Sequence, residues 1–244
     1  MRFDVITLFE PMFAALTENG ITSRAIDRGL WSLHTWNPRE ETEDNHRTVD
    51  DRPFGGGPGM VMMAEPLART VRRIRRAGNK GRVVSFAPNG TRLTDETVRR
   101  WVAEGGDMVL ICGRYEGIDQ RFLDTFVDET VSVGDFVLSG GELAAMVLID
   151  AVVRQLPGAI KELSTLDESF STGLLDAPHY TRPEVWEGKG VPEVLLTGHH
   201  ANIARWTREQ ALALTASTRP DLIEKAKVEG KLTKDDLAWL KKHA

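Results

Sequence analysis

Short apolar runs rich in β-branched residues recur at Phe3–Leu8, Arg82–Phe86, Met108–Cys112 and Thr130–Leu138, with helix-period patterns between them. Such runs, bounded by turn signals, read as buried strands, and their alternation with helices predicts an α/β fold. The stretch Gly140–Gln155 is too long for a strand; it opens at a Gly-Gly pair and stops at Leu156-Pro157-Gly158, which predicts a helix. A compact unit is expected over residues 1–160. From Lys161 to Ser171 the chain turns polar and charged without periodicity, as a linker or loop does. Pro178–Pro183 and an amphipathic, helix-rich tail from Ala201 onward then predict a smaller helical domain over 172–244.

A chain of 244 residues can bury a real core and fits one large domain, or a medium domain with a small one. Its single cysteine, Cys112, can form neither an intrachain disulfide nor a thiol-based metal site. The first residues lack a cleavable signal pattern and no apolar run approaches a membrane span, so a cytoplasmic protein that touches no membrane is expected. A net charge of −5 argues against nonspecific coating of nucleic acid. Arg72, Arg73, Arg75, Arg76, Lys80 and Arg82 nevertheless form a basic cluster, which is either a phosphate contact or a solvated helix face.

Four segments carry candidate chemistry. In Phe54-Gly55-Gly56-Gly57-Pro58-Gly59-Met60, four glycines in five positions exclude a regular element and allow positive φ or close backbone approach, with a packing turn as the plainer reading. No Gly-Lys-Ser/Thr follows, so it is not a phosphate-binding loop of the Walker type. Met108–Cys112 breaks at once into Gly113-Arg114-Tyr115-Glu116-Gly117-Ile118-Asp119, and ligands in α/β sheets bind beyond the carboxyl ends of strands. Val133-Gly134-Asp135-Phe136-Val137-Leu138-Ser139-Gly140-Gly141-Glu142 repeats that strand-to-glycine pattern before the long helix, whose N-terminus favours a carboxylate or anion. A Gly-x-Gly-x-x-Gly is absent, which disfavours dinucleotides and leaves an adenine-containing ligand held by backbone loops. The fourth segment, Asp167-Glu168-Ser169-Phe170, places two carboxylates in a polar loop, either solvated or catalytic, with Arg154 near the end of the preceding helix. His199-His200 has no companions at ligand spacing, so no metal site is assigned.

Taken in order, Asp4–Phe9, Val49-Asp50-Asp51 with the glycine loop, Cys112–Asp119, Gly134–Glu142, Gly173–Asp176 with Pro178–Pro183, and Val194–His200 resemble the bacterial tRNA (guanine-N1)-methyltransferase family along nearly the whole chain. The resemblance implies a trefoil-knotted parallel-sheet methyltransferase domain, a small C-terminal helical tRNA-binding domain joined by the linker 161–171, and an antiparallel homodimer. It implies S-adenosyl-L-methionine as methyl donor, held by Phe86, Ala87, Pro88, Gly90, Gly113, Tyr115, Glu116, Val133, Gly134, Asp135, Phe136, Val137, Leu138, Gly140 and Gly141. It assigns tRNA contacts to Asp50, Gly55, Gly57, Ser169, His179 and Arg182. Ala87-Pro88-Asn89 and Ala144 depart from the family pattern, which is nearer Ser-Pro-Gln in the first case and proline in the second.

The implied reaction methylates N1 of the guanosine just 3′ of the anticodon. Guanine N1 carries a proton at neutral pH, so transfer needs a base near N1 and a cation or donor near O6, where charge accumulates. By resemblance the cation is Arg154 and the base a linker carboxylate. Counting from Ser169 makes it Glu168, which is preferred; counting by residue type makes it Asp167. The family is associated with Mg2+, but no cluster here has ligand spacing, so such an ion would be held partly by RNA or the acidic linker. The alternative to an active enzyme is a catalytically weakened tRNA-binding protein of the same fold.

Overall fold

Alternation of side chains along buried strands organises the first part of the chain. The computed structural model describes residues 1–161 and 168–243. Its first strands are β1 (Arg2–Ile6), β2 (Ser32–Trp36), β3 (Asp50–Asp51), β4 (Val61–Met62), β5 (Arg82–Arg92), β6 (Met108–Ile111) and β7 (Glu129–Ser132). Five of them form a sheet in the order β2-β1-β6-β5-β7, with every pairing parallel, while β3 and β4 pair antiparallel as a short hairpin. The helices are α1 (Ala14–Thr17), α2 (Gly20–Asp27), α3 (Ala64–Arg76), α4 (Asp95–Glu104), α5 (Gln120–Phe126) and α6 (Glu142–Val153).

Every residue of β6 is buried because helices cover both faces of the sheet. Met108 and Leu110 join Phe3, Val5, Val84 and Val131 beneath α4 and α6. Val109 and Ile111 point the other way and join Ile6 and Val83 beneath α3 and α5. The polar exception in β1 is Asp4, fully buried yet satisfied: Trp36 Nε1 and Asn79 Nδ2 donate to it at 2.7 and 2.6 Å, and Arg2 Nε lies 2.7 Å away.

Several expectations shift. The strand expected over Thr130–Leu138 stops at Ser132, where Ser132 Oγ donates to the Gly134 carbonyl across a turn, and the apolar residues beyond it leave the sheet. The strand β2 had no clear signal, because Ser-Leu-His-Thr-Trp is a partly exposed edge and carries little apolar pattern. The basic face of α3 is largely paired with acids. Arg69 meets Glu43 and Glu65, Arg73 meets Glu40 and Glu41, and Arg72 and Arg73 also lie over the rings of Phe126 and Trp36. These contacts favour the solvated-face reading of the cluster over a phosphate contact.

The chain divides into two compact units, Met1–Ile160 and Lys161–Ala244. The second holds a short hairpin, β8 (Val185–Trp186) with β9 (Lys189–Gly190), and the helices α7 (Glu193–Leu196), α8 (His200–Thr218), α9 (Pro220–Val228) and α10 (Lys234–His243). Leu174, Ala177, Ala211, Leu212 and Ile223 form its core. With so few large apolar residues, polar staples weigh more. Arg208 donates to both oxygens of the buried Asp236, at 3.1 and 2.9 Å, and Thr233 N donates to the same carboxylate at 2.8 Å.

Burial opposes ionisation of Asp236, but the hydrogen bonds from Arg208 and Thr233 outweigh it and hold the carboxyl below its usual range. A depressed folded-state pKa stabilises above the unfolded value and is lost as pH falls through the folded one. Asp236→Asn is expected to destabilise the second unit by about 2 kcal/mol near neutral pH, a figure discounted for the partial exposure of Arg208. The difference from wild type should shrink in acid below the ordinary aspartate range. Thermal unfolding of both proteins at neutral and acidic pH checks it.

Candidate active site

Because β6, β5 and β7 are adjacent and parallel, the loops that leave their carboxyl ends converge. They enclose a cleft of about 550 Å³, lined by Ser85–Asn89, Gly113–Ile118 and much of Val127–Gly141, a size suited to a small organic ligand. The first loop is an excursion within β5: Phe86 and Thr91 both pair with Val131, so Ala87–Gly90 bulge out between them. A Cβ at Gly90 would lie 2.6–2.7 Å from the Thr130 and Val131 backbone, so only glycine closes this bulge against β7.

The second and third loops are locked together. Gly141 N donates to the Gly113 carbonyl at 2.9 Å, and a Cβ on Gly141 would meet Cys112 Cα at 2.8 Å. Next to this contact Arg114 reaches back. Its Nη1 donates to the Ser139 carbonyl, its guanidinium stacks 4.2 Å from the Phe9 ring, and its Nε lies 2.9 Å from Glu142 Oε2. That last contact is an ion pair at close range without hydrogen-bond alignment, since neither atom finds an aligned partner. Thr7 Oγ1 donates to the other Glu142 oxygen at 2.8 Å. Arg114, Glu142 and Thr7 were not among the expected site residues. The signal for Glu142 was its place at the start of an otherwise apolar helix. Burial pushes the Cys112 thiol well above its usual range, and nearby Glu142 adds to the shift, so Cys112 is a packed neutral side chain rather than a nucleophile.

The glycine segment joins β3 to β4 and is pinned to the second loop. Met62 N donates to the Gly117 carbonyl at 2.8 Å, Glu116 N to the Met60 carbonyl at 2.9 Å, and Asp119 N to the Met62 carbonyl at 3.0 Å. Gly55, Gly56 and Gly57 have positive φ with open space around them, so glycine is required there by backbone conformation and not by packing. Asp50, at the root of this hairpin, is a charged neighbour of the Tyr115 phenol.

Of the expected donor-site residues, Gly90 and Asp135 are absent from the cleft wall. Gly90 packs against β7 and Asp135 points to solvent. The others line the cleft, as do the off-pattern Ala87, Pro88, Asn89 and Ala144. Arg154 closes α6 in the first unit, whereas Glu168, Ser169, His179 and Arg182 belong to the second; Asp167 lies outside the described residues. In that unit Glu168 begins a closed turn. Its carbonyl accepts from Ser171 N and Oγ, and Phe170 N donates to the Leu174 carbonyl at 2.7 Å. Asp176, which belongs to a family motif but carried no expected role, gathers its neighbours: its N–H donates to Ser169 Oγ at 3.0 Å, and its Oδ2 lies 2.9 Å from His179 Nε2. Ser169 is therefore engaged as a turn acceptor, while His179 and Arg182 are exposed. Among the described residues no cluster of His, Cys, Asp and Glu could hold a metal ion, and no helix is long and apolar enough to cross a membrane.

Fold and site together define an α/β protein with a small-molecule cleft built from main-chain-rich loops at the carboxyl edge of a parallel sheet. The family model described as tRNA (Guanine-1)-methyltransferase TrmD matches residues 1–225, and the chain belongs to that family. It is similar to the tRNA (guanine-N(1)-)-methyltransferases of Burkholderia mallei (strain SAVP1) and Burkholderia pseudomallei (strain 668). Each is 57% identical over 246 residues, an alignment covering 98% of this chain and 93% of the relative.

The two glycine contacts separate packing from ligand effects. Gly141→Val drives a side chain into backbone at Cys112 and is expected to lower stability by roughly 2–3 kcal/mol, along with ligand binding. At Gly113 a Cβ meets only the end of the Ile118 side chain, at 3.2 Å, so Gly113→Ala should cost less than about 1 kcal/mol. Chemical denaturation ranks the two, and equal losses would show that the loop-to-loop contact is not the constraint described.

Proposed function

We propose that this chain transfers a methyl group from S-adenosyl-L-methionine to N1 of a guanosine in tRNA, the one immediately 3′ of the anticodon (position 37). Family membership supports the reaction class, and the observation that carries the reading is the cleft enclosed by three glycine-bearing loops at the carboxyl edge of the parallel sheet. A planar adenine fits such walls, because loop N–H and C=O groups can pair with its edge where glycines leave the backbone uncovered. Phe86, Ala87, Pro88, Gly113, Tyr115, Glu116, Val133, Gly134, Phe136, Val137, Leu138, Gly140 and Gly141 would hold the donor, which when bound supplies an electrophilic methyl group on a sulfonium. Glu116 offers acceptors to its hydroxyl or amino groups, and the second unit, with Asp50 and the glycine hairpin, takes the tRNA.

The chain's own residues then manage one proton and one developing charge. A carboxylate takes the N1 proton as the new N–C bond forms, and the Arg154 guanidinium stabilises the charge that accumulates on O6. Glu168 is the preferred base, because the turn from Glu168 to Leu174 fixes its backbone, and a fixed base loses little entropy on reaching its partner. We also infer that the loops after β6 and β7 are threaded as a trefoil knot and that the active form is an antiparallel homodimer in the cytoplasm. Leu143 and Val147, one turn apart on α6, are about half exposed, as is Phe136, and Val137 is 85% exposed. Exposed apolar side chains one turn apart on α6 suit a subunit contact. A Mg2+ requirement is not part of the proposal.

Nucleoside mass spectrometry on tRNA incubated with protein and donor tests the reaction, the base and the position together. In single-turnover assays Glu168→Ala and Arg154→Ala are expected to slow transfer by roughly 10² to 10⁴ with donor binding nearly constant, and Asp167→Ala by roughly tenfold or less. A severe loss confined to the Asp167 variant would move the base to that residue. Sedimentation at micromolar concentration should give about twice the mass of the chain, and Val147→Asp should shift it toward the monomer with loss of activity.

A further inference from the structure

Among the described residues of the cleft wall, Tyr115 is the one non-glycine held in a sparsely populated backbone conformation, and its phenol reaches out to meet other elements. Its φ of 59° is in the left-handed region, disfavoured for any residue but glycine and sustained only where surroundings impose it. Backbone bonds on either side help: Glu116 N reaches Met60 and Gly117 N reaches Arg114. The phenol accepts from Arg39 Nη2 at 3.3 Å, and Asp50 on the glycine hairpin is its charged neighbour.

Arg39 is itself immobilised. It sits in the single-turn helix Pro38–Glu41, where its N–H donates to Asn37 Oδ1 at 3.1 Å, its carbonyl accepts from Thr42 Oγ1 at 3.0 Å, and its Nη1 donates to the Arg47 carbonyl at 2.8 Å. The same turn is tied to α3 through Glu40, Glu41 and Arg73. A guanidinium can only donate, a carboxylate can only accept, and a phenol does one of each. The Arg39–Tyr115 hydrogen bond thus links the single-turn helix to the loop after β6, with Asp50 of the β3–β4 hairpin beside the phenol.

We propose that Arg39 is a positioning residue for the methyl-transfer site: it holds the Tyr115 phenol, so that the loop after β6, part of the donor cleft, keeps one geometry against the single-turn helix. The proposal rests on reading this cleft as the donor site. Arg39 is not in the cleft wall and touches no reacting atom; it acts on the ring that forms part of that wall. Burial, followed by Asp50, pushes the Tyr115 phenol above its usual range, while Arg39 pulls it the other way. At neutral pH the hydroxyl therefore keeps its proton and stays a neutral acceptor for Arg39.

The test uses the full chain with Arg39→Ala, Tyr115→Phe, the double variant and Arg39→Lys. Calorimetry with S-adenosyl-L-methionine should show each of the first two weakening donor binding roughly three- to tenfold, the effect of one lost hydrogen bond. The double variant should be no worse than the poorer single, because both remove the same link. Arg39→Lys should recover part of the loss. The chain has only two tyrosines, Tyr115 and Tyr180, so subtracting the tyrosinate titration of Tyr115→Phe isolates Tyr115. Its ionisation should move to higher pH in Arg39→Ala, where a stabilising cation is gone, and to lower pH in Asp50→Asn. Additive losses in the double variant, unchanged donor affinity in Arg39→Ala, or an unmoved Tyr115 titration would each overturn the proposal. A wild-type chain that binds no donor rejects the reading of the cleft instead, and the titration then still judges the Arg39–Tyr115 link by itself.

Discussion

The close approach of Gly141 to the Cys112–Gly113 backbone is the constraint on which the site depends. Two loops that leave different strands of a twisted sheet have no intrinsic reason to stay in register. One main-chain hydrogen bond at 2.9 Å, at a spacing that excludes even a methyl group, holds them there. Backbone packed on backbone is also stiff, since no rotamer change can relieve it. Because α6 begins directly after Gly141, the contact fixes the start of that helix beneath the sheet as well as the wall of the cleft.

The Arg114–Glu142 pair beside it is better understood as an alignment device than as a source of stability. Removing two charges from water costs several kcal/mol, and the mutual attraction of a buried pair often does little more than cancel that cost. Here the geometry is not ideal, since the Nε–Oε2 contact lacks hydrogen-bond alignment. The arrangement nevertheless connects four segments: Thr7 after β1, Arg114 after β6, Ser139 in the third loop and Glu142 on α6. An apolar replacement could fill the volume but could not impose those four directions at once. The contrast with Arg208–Asp236 is instructive. That pair is bidentate and supported by a helix-capping contact, and it serves a unit whose apolar core is small.

Much of this architecture was legible because the strands near the cleft are buried on both faces and read as uninterrupted apolar runs. All four expected strands begin within a residue of where they form. The edge strand β2 was illegible for the opposite reason: half-exposed, with polar residues on it, it carries little periodicity. The run Thr130–Leu138 misled at its far end because apolarity reports burial or ligand contact alike, and Val133, Val137 and Leu138 line a cleft instead of extending β7. In the site, glycines marked the loops well, but their individual roles could not be told apart. Gly90 and Gly141 serve packing, Gly55 and Gly57 serve backbone conformation, and only coordinates distinguish them. Arg39 had no signal, since its partner lies 76 positions away in sequence.

The departures from the family pattern illustrate why a cleft of this kind tolerates variation. Ala87, Pro88 and Asn89 occupy the bulge of β5, whose course is set at Gly90 by backbone contact with Thr130 and Val131. If the groups facing a ligand are peptide N–H and C=O, replacing the side chains on that bulge leaves them in place. Ala144 obeys the same logic from another direction. It lies in the first turn of α6, where the N–H groups have no partner within the helix, so proline and alanine are both accommodated there. Under the proposed mechanism the linker is different, because a carboxylate taking a proton works through its side chain and the length of that side chain sets its reach. Glu168 carries one methylene more than the alternative base Asp167, roughly 1.5 Å of reach, so the proposed base depends on where the turn from Glu168 to Leu174 holds its backbone. Under that mechanism, substitutions in the turn from Glu168 to Leu174 would cost more activity than substitutions of the side chains on the bulge at Ala87–Gly90.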